Sequence, residues 1–385
     1  MKSSQLMGLL SVSFLCVVLL AVAEERNDFD IIACRINSRL RGRPLESESV
    51  IEATNESERI VVIGDIHGCL HGFLEVLYHA GLLVAKDICE WNSATVENTM
   101  LVQIGDIVDR GNNTLGVYRC LEHLQDTAPA SCRLIRLIGN HEIWWLTGSY
   151  HNRNKDTDSE DSLREVVQGL KDGLRSGKIL GSYATRVQGM PILFSHAGFR
   201  PEMINFVQQE YKSSNGGLQA EHLSEYVNNV VKKMTSEESC GHIKKLGEVG
   251  KGWTHCKYDH ELFEAGPDRG GQNIGGPYWT DYSVMEKLGL GNLNRNNESE
   301  AEDIIKTMVQ VVGHTISPRR MIRNTKYMEA IGVDSGMYIG GRTFLEIDKH
   351  GRFLAHEKST SSLQSGIGTG TGWNIRDLTK ELCGT

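Results

Sequence analysis

The chain has 385 residues, 39% of them hydrophobic and only 7 of them proline, so it has ample material for a packed core and is not a disordered chain. Its formal net charge is −8 and it carries no long basic run. Nucleic acid is excluded as a partner, because counterion release from phosphates needs clustered Lys and Arg.

In chain order, residues 1–23 open with Lys2, run apolar from Leu6 to Leu20 and end in Ala21, Val22 and Ala23. This is the pattern of a secretory signal with a small-residue cleavage site. The run is long for a signal core, so an uncleaved membrane anchor stays open as the alternative. No later segment approaches a membrane span. Without Cys16, eight cysteines remain (Cys34, Cys69, Cys89, Cys120, Cys132, Cys240, Cys256 and Cys383), an even number that predicts disulfides in an oxidising compartment without fixing the pairs. Sequons at Asn55, Asn112 and Asn297 agree with a glycoprotein of the secretory pathway, secreted or held in an organelle lumen. Residues 24–57, with Arg35, Arg39, Arg41 and Arg43 among acids, read as a polar lead-in.

From residue 58 the pattern changes. Short runs rich in Val, Ile and Leu at 59–63, 100–104, 134–138, 191–194, 309–312, 330–333 and 343–347 predict buried strands. Helical spacing appears between them, at Leu70, Phe73, Leu74 and Leu77; at Leu163, Val166, Val167 and Leu170; at Leu223, Tyr226, Val227, Val230 and Val231; and at Ile304, Ile305 and Met308. Strands alternating with helices predict a layered α/β core. Residues 235–277 interrupt the alternation and read as a long surface excursion, with the place of a lid. Within it, a Cys240–Cys256 disulfide is preferred to a zinc site built from Cys240, His242, His255 and Cys256, whose spacing is not a common zinc pattern. Residues 359–372 are rich in Ser, Gly and Thr, so 58–356 is read as the catalytic domain and 357–385 as a flexible C-terminal tail.

Five polar motifs each follow one of the apolar runs: Gly64-Asp65-Ile66-His67-Gly68, Gly105-Asp106-Ile107-Val108-Asp109-Arg110-Gly111, Gly139-Asn140-His141-Glu142, Ser195-His196-Ala197-Gly198 and Gly313-His314-Thr315. Singly, each has an ordinary structural use: an Asp after a strand caps a helix, and a buried His needs only one or two partners. Together they put Asp, His and Asn at five strand ends, where α/β proteins gather ligands. Oxygen and imidazole donors without thiolate suit a hydrolytic Zn, Fe or Mn site. Phosphate ester hydrolysis gains most from two such ions clamped by a shared carboxylate.

The order of these motifs resembles the phosphoprotein phosphatase branch of the calcineurin-like metallophosphoesterases. The Gln103–Gly111 run is similar to that of the bacterial-type Shewanella-like protein phosphatases. The resemblance spans about residues 59–348. It implies a layered β-sandwich flanked by helices and two metal ions, Mn or Fe/Zn. Asp65 and His67 would bind the first metal, Asp106 would bridge both, and Asn140, His196 and His314 would bind the second. His141 matches the general acid, Asp109 its carboxylate partner and Arg110 the phosphate grip. A metal-bridging hydroxide would attack phosphorus in line. The implied substrate is a phosphorylated protein or peptide, on Ser/Thr or Tyr. One departure stands out: Tyr278-Trp279-Thr280-Asp281-Tyr282 replaces the Shewanella-like segment that carries a second phosphate-binding arginine, which leaves Arg295 or Arg269 for that role. A dinucleoside polyphosphate hydrolase and a catalytically inactive secreted binding protein are the competing readings.

Overall fold

The computed structural model describes residues 58–154, 159–211, 218–240, 256, 260–272, 274–284, 300–317, 322–325, 330–359, 372–379 and 382. The signal segment, the lead-in, the sequons at Asn55 and Asn297, and Arg295, His242 and His255 lie outside these residues. The chain divides into two compact units, Asn55–Leu378 and a second made of Met1–Thr54 with Thr379–Thr385. The first unit carries every element below.

The unit opens with β1 (Arg59–Ile63), α1 (Leu70–His79), the hairpin β2 (Leu83–Ala85) and β3 (Ile88–Trp91), β4 (Thr99–Gln103) and α2 (Thr114–Asp126). It continues through β5 (Cys132–Leu137), α3 (Asn140–Leu146), α4 (Glu160–Ser176), β6 (Ile179–Leu180), β7 (Ser182–Val187) and β8 (Met190–Ser195). Next come α5 (Pro201–Tyr211), α6 (Ala220–Met234), α7 (Glu237–Cys240), α8 (Glu300–Lys306), β9 (Val309–Val312), β10 (Arg323–Thr325) and β11 (Ala330–Gly332). The last strands are β12 (Thr343–Ile347), β13 (Phe353–Lys358) and β14 (Trp373–Asp377).

A seven-stranded sheet runs β14-β13-β12-β1-β4-β5-β6, and a five-stranded sheet runs β10-β11-β9-β8-β7. In the first, β1, β4 and β5 are parallel neighbours. In the second, β8, β9 and β11 are. Parallel strands must be covered on both faces, and these are. Val61, Ile63, Leu101 and Leu134 join Phe73 and Leu77 of α1 and Leu121 of α2 in one apolar cluster, while the alternate Ile60, Val62, Met100 and Val102 are buried as well. The two sheets meet at their strand ends: the His196 ring after β8 donates from Nδ1 to the carbonyl of Ile104 after β4, at 3.0 Å.

The helices are set by their ends and apolar faces. α4 starts at Ser159, whose hydroxyl accepts the Ser162 N–H, and stops at Gly177 in the left-handed conformation. Its Leu163, Val166, Val167, Leu170 and Leu174 face the core. Truncating one such leucine to alanine costs about 2–5 kcal/mol.

Two sequence expectations need correction. The tail is not flexible from residue 357: β13 runs to Lys358, and Trp373–Asp377 pairs antiparallel with it as the sheet's edge strand. Backbone pairing supplies what the polar composition of Trp373–Asp377 does not advertise. Nor is the excursion wholly on the surface. Cys240 and Cys256 form a disulfide, and both join Leu262 and Phe263 in the main apolar cluster. A second disulfide, Cys89–Cys120, ties β3 to α2.

Candidate metal and phosphoester site

Each sheet contributes three neighbouring parallel strands, and the loop after each carries a candidate group: Asp65 and His67 after β1, Asp106 after β4, Asn140 after β5, His196 after β8, His314 after β9. The remaining one, β11, is followed by Asp334, which no sequence motif singled out although it obeys the same placement rule. All seven are buried or nearly so.

The loops hold their groups in costly backbone geometry. Seven non-glycine residues among those described have positive φ, and five are His67 (48°), Asp106 (54°), Asp109 (70°), Arg110 (64°) and His314 (65°). Such conformations cost of order 1 kcal/mol or more each and persist where surrounding contacts over-determine them. Glu142 supplies much of that determination. Its carboxylate accepts the backbone N–H of Gly139 (2.7 Å), Asp106 (2.8 Å), Ile107 (2.9 Å) and Val108 (3.2 Å), clamping the second motif to the third.

Asp106 lies at the centre. Its Oδ2 is 3.5 Å from His67 Nε2 and its Oδ1 is 3.5 Å from His196 Nε2. Two sets of donor atoms close enough to share an ion, His67–Asp106–His141 and Asp106–His196–His314, have this one carboxylate in common. Asp65 joins the first set, with Oδ2 3.9 Å from His67 Nε2 and Oδ1 accepting the His314 backbone N–H at 3.0 Å. Asn140 joins the second. Its Oδ1 is 2.9 Å from both His196 Nε2 and His314 Nδ1, and those nitrogens are 3.2 Å apart.

These contacts call for cations. His67 Nδ1 donates to Val108 O at 2.8 Å, and His196 Nδ1 to Ile104 O, so in each neutral ring Nε2 is a lone pair facing a carboxylate oxygen. Burial holds both rings neutral: His67 is pushed well below the usual imidazole range, with the Arg110 charge adding to the effect, and His196 is pushed down to about 3. His314 is driven down by burial and then by His196. Three acceptor-rich atoms, Asn140 Oδ1, His196 Nε2 and His314 Nδ1, therefore share at most one proton. Two donors each about 2.1 Å from one ion lie about 3 Å apart at a right angle, so this triangle has the dimensions of a ligand set. The acids tell the same story. Burial raises Asp65 and Asp106 well above the ordinary carboxylate range, with Asp334 adding to the first and Glu142 to the second. A neutral-imidazole, carboxylate and amide set without thiolate fits divalent Mn, Fe or Zn. At His67 the cation present is the Arg110 guanidinium, with Nη1 2.7 Å from His67 Nε2 and Nη2 3.1 Å from His141 Nε2.

His141, Asp109 and Arg110 come together as the motifs predict. His141 Nδ1 lies 2.5 Å from Asp109 Oδ2, and Asp109 Oδ1 accepts the Trp145 indole N–H at 2.7 Å. Burial pushes Asp109 up to about 6, opposed by the Trp145 hydrogen bond and by Arg110. Burial, then Arg110, push His141 down to about 3. The rim is aromatic. The Trp144 ring lies 4.7 Å from His141 and 5.2 Å from Trp279, Trp279 lies 6.2 Å from His314, and Arg110 sits 5.0 Å over Tyr338. Arg269, from the excursion, pairs with Asp281 at 2.9 Å, and its charge lowers both His196 and His314.

Sequence reasoning missed the clamp of Glu142, the indole of Trp145 and the carboxylate of Asp334. For the last, its place after a predicted strand was the available signal.

Residues 58–228 match the model of the calcineurin-like phosphoesterase family. The chain is 35% identical over 109 residues to Shewanella-like protein phosphatase 2 of Arabidopsis thaliana, covering 28% of this chain and 27% of that protein. It is 25% identical over 186 residues to the symmetrical bis(5'-nucleosyl)-tetraphosphatase of Shewanella frigidimarina, covering 46% and 57%. Neither match reaches two thirds of the relative's length. Its fold is shared with a solved cold-active protein-tyrosine phosphatase of a psychrophilic Shewanella, at a TM-score of 0.51 and 18% identity over 81% of this chain and 86% of that one. Among the described residues no helix is long and apolar enough to cross a membrane. Residues 58–228 thus carry a calcineurin-like phosphoesterase domain, and the proteins this chain is similar to include Shewanella-like protein phosphatases.

Proposed function

We propose that the protein is a dimetal phosphomonoesterase acting on phosphoprotein. The observation that carries this reading is Asp106, whose two carboxylate oxygens face separate imidazoles at 3.5 Å each. Asp65 and His67 would hold one metal ion with Asp106, and Asn140, His196 and His314 the other. Bound there, Mn or Fe/Zn ions supply Lewis acidity and an activated water.

The remaining roles belong to side chains outside the ligand set. Arg110 presents a guanidinium fork suited to a phosphate oxyanion, and Arg269 is the second cation near the centre. Burial first, and the Arg110 charge next, hold His141 neutral; a bound phosphate dianion counters that charge and itself favours a proton on Nε2, which the leaving oxygen then takes. Asp109 keeps the imidazole oriented from Nδ1. The aromatic rim of Trp144, Trp279 and Tyr338 suits a phenolic leaving group, which favours phosphotyrosine over phosphoserine. The apolar start and sequons support a secretory-pathway location.

Similarity to a bis(5'-nucleosyl)-tetraphosphatase supports a second reading as a dinucleoside polyphosphate hydrolase. Phosphotyrosine and phosphoserine peptides, diadenosine tetraphosphate and p-nitrophenyl phosphate assayed side by side test the choice. The expected result is chelator-sensitive cleavage of phosphopeptide and of p-nitrophenyl phosphate, abolished by His141→Ala. Rapid cleavage of the dinucleotide with inert phosphopeptides would overturn it in favour of the second reading. No activity after metal reconstitution would leave a binding protein.

A further inference from the structure

We infer that Asp334 is a positioning carboxylate of the first metal position, supplying beside Asp65 a negative charge that this half of the centre needs to bind its ion. The inference rests on the metal-site reading and not on the choice of substrate.

Asp334 follows β11, the third of three neighbouring parallel strands whose other two deliver His196 and His314. Its side chain is 2% exposed. Oδ1 accepts the Gly336 N–H at 2.8 Å, whereas Oδ2 finds no donor among the described residues. The neighbour of the Asp334 carboxyl is that of Asp65, close enough to hydrogen-bond it when one of the two is protonated. Both have been brought together by close backbone approach: a Cβ on Gly64 would lie 2.6 Å from Val333 O and 3.1 Å from Asp334 Cα, so only glycine lets the β1 loop pass this near.

Two adjacent buried carboxyl groups can both stay charged only with a cation beside them; without one they are relieved by sharing a proton. Gly336 alone does not account for the pair, since Asn in place of Asp334 would accept the same N–H without the charge. A divalent cation beside Asp65 resolves the repulsion. Counting Asp106 as shared, the first half then holds three carboxylates and one imidazole, and the second half one carboxylate, one amide and two imidazoles. The two positions are electrostatically unequal, and Asp334 supplies as much of the difference as Asp65.

The test uses Asp334→Asn in the full chain, with Mn²⁺ titrated by calorimetry against metal-free protein and unfolding followed in EDTA. The affinity of one Mn²⁺ equivalent is expected to fall about 10–100-fold, the scale on which outer partners of metal ligands act, with the other within about threefold. In EDTA the variant is expected to unfold at the same temperature as the parent, because the amide oxygen keeps the Gly336 N–H contact. Unchanged affinity of both equivalents would overturn the inference. So would a variant less stable than the parent in EDTA, which would make Asp334 a structural cap. A parent chain that binds no Mn²⁺ sinks the metal site itself, whereas a chain that binds two ions but spares phosphopeptides leaves this inference standing and removes only the proposed substrate.

Discussion

Trp145 donates its indole N–H to Asp109 at 2.7 Å while the other oxygen of that carboxylate meets His141, so one fully buried side chain fixes the orientation of the acid–base pair from behind. Trp145→Phe keeps most of the volume and removes the donor. Proton donation matters most for poor leaving groups, and acid–base assistance is worth about 10²–10⁴-fold in all. The expected loss in kcat/KM is about tenfold on phenyl phosphate and under about threefold on p-nitrophenyl phosphate. Equal losses on both esters would show that the indole only supports packing.

Glu142 satisfies four backbone N–H groups that belong to the two loops flanking Asp106. Glu142→Gln leaves fewer acceptor sites and no charge, so some of those buried donors lose their partner. Denaturant unfolding of the metal-free protein should show a loss of about 3 kcal/mol. A loss below about 1 kcal/mol, within the ordinary range of single substitutions, would mean that the positive-φ loop is held by other contacts.

Because Asp106 belongs to both donor sets, its replacement should not act like that of any other ligand. Asp106→Asn is expected to lose both metals together, whereas His67→Ala and His314→Ala should each retain about one ion per chain, on the two-metal arrangement of such sites. Elemental analysis after reconstitution and gel filtration reads this directly. One ion retained by Asp106→Asn would place the bridge elsewhere.

The pH dependence of the metal-free protein has a sign that follows from His196. Burial lowers its folded pKa to about 3, against about 6.5 for an unperturbed imidazole. As pH falls below the higher value the unfolded chain takes a proton that the folded chain refuses. Stability from this group is therefore present above pH 6.5 and is lost as pH falls toward 3. Between pH 7 and pH 5 the loss amounts to about 2 kcal/mol at most. His196→Asn should lose that much less than the parent over the same interval, by urea unfolding in EDTA. Matching pH slopes would show that the folded parent accepts the proton.

Much of this was readable from the chain, for identifiable reasons. Buried parallel strands write unbroken Val, Ile and Leu runs, and all seven runs read as strands lie on observed ones, with bounds shifted by a residue or two. The residues after five of them converge on one centre. What the sequence concealed depends on geometry at a distance. Glu142 acts through backbone atoms of residues 106–108, and no composition reveals the positive φ of Asp106 that it helps to hold. Asp109 finds Trp145 only because α3, a seven-residue helix too short to show periodicity, turns that indole inward. β14 is half polar and follows a Ser, Gly and Thr-rich stretch, and its strand character comes from its pairing with β13. Asp334 sat in plain view after a predicted strand, without the flanking glycine and histidine that drew attention to the others.

The Asp65 carboxylate and the His314 backbone N–H, 3.0 Å apart in space, are 249 residues apart along the chain. Contacts of such separation form after local ones, since the chain must first be closed over that length. The second donor set draws Asp106 and Asn140 from one sheet and His196 and His314 from the other, so a nascent chain that has built only its first half can offer the second ion no more than a fragment of its coordination shell. Capture of the second ion would then come late in folding and act as a lock on a finished arrangement of the sheets, with free metal helping to decide how much of the newly made protein stays folded.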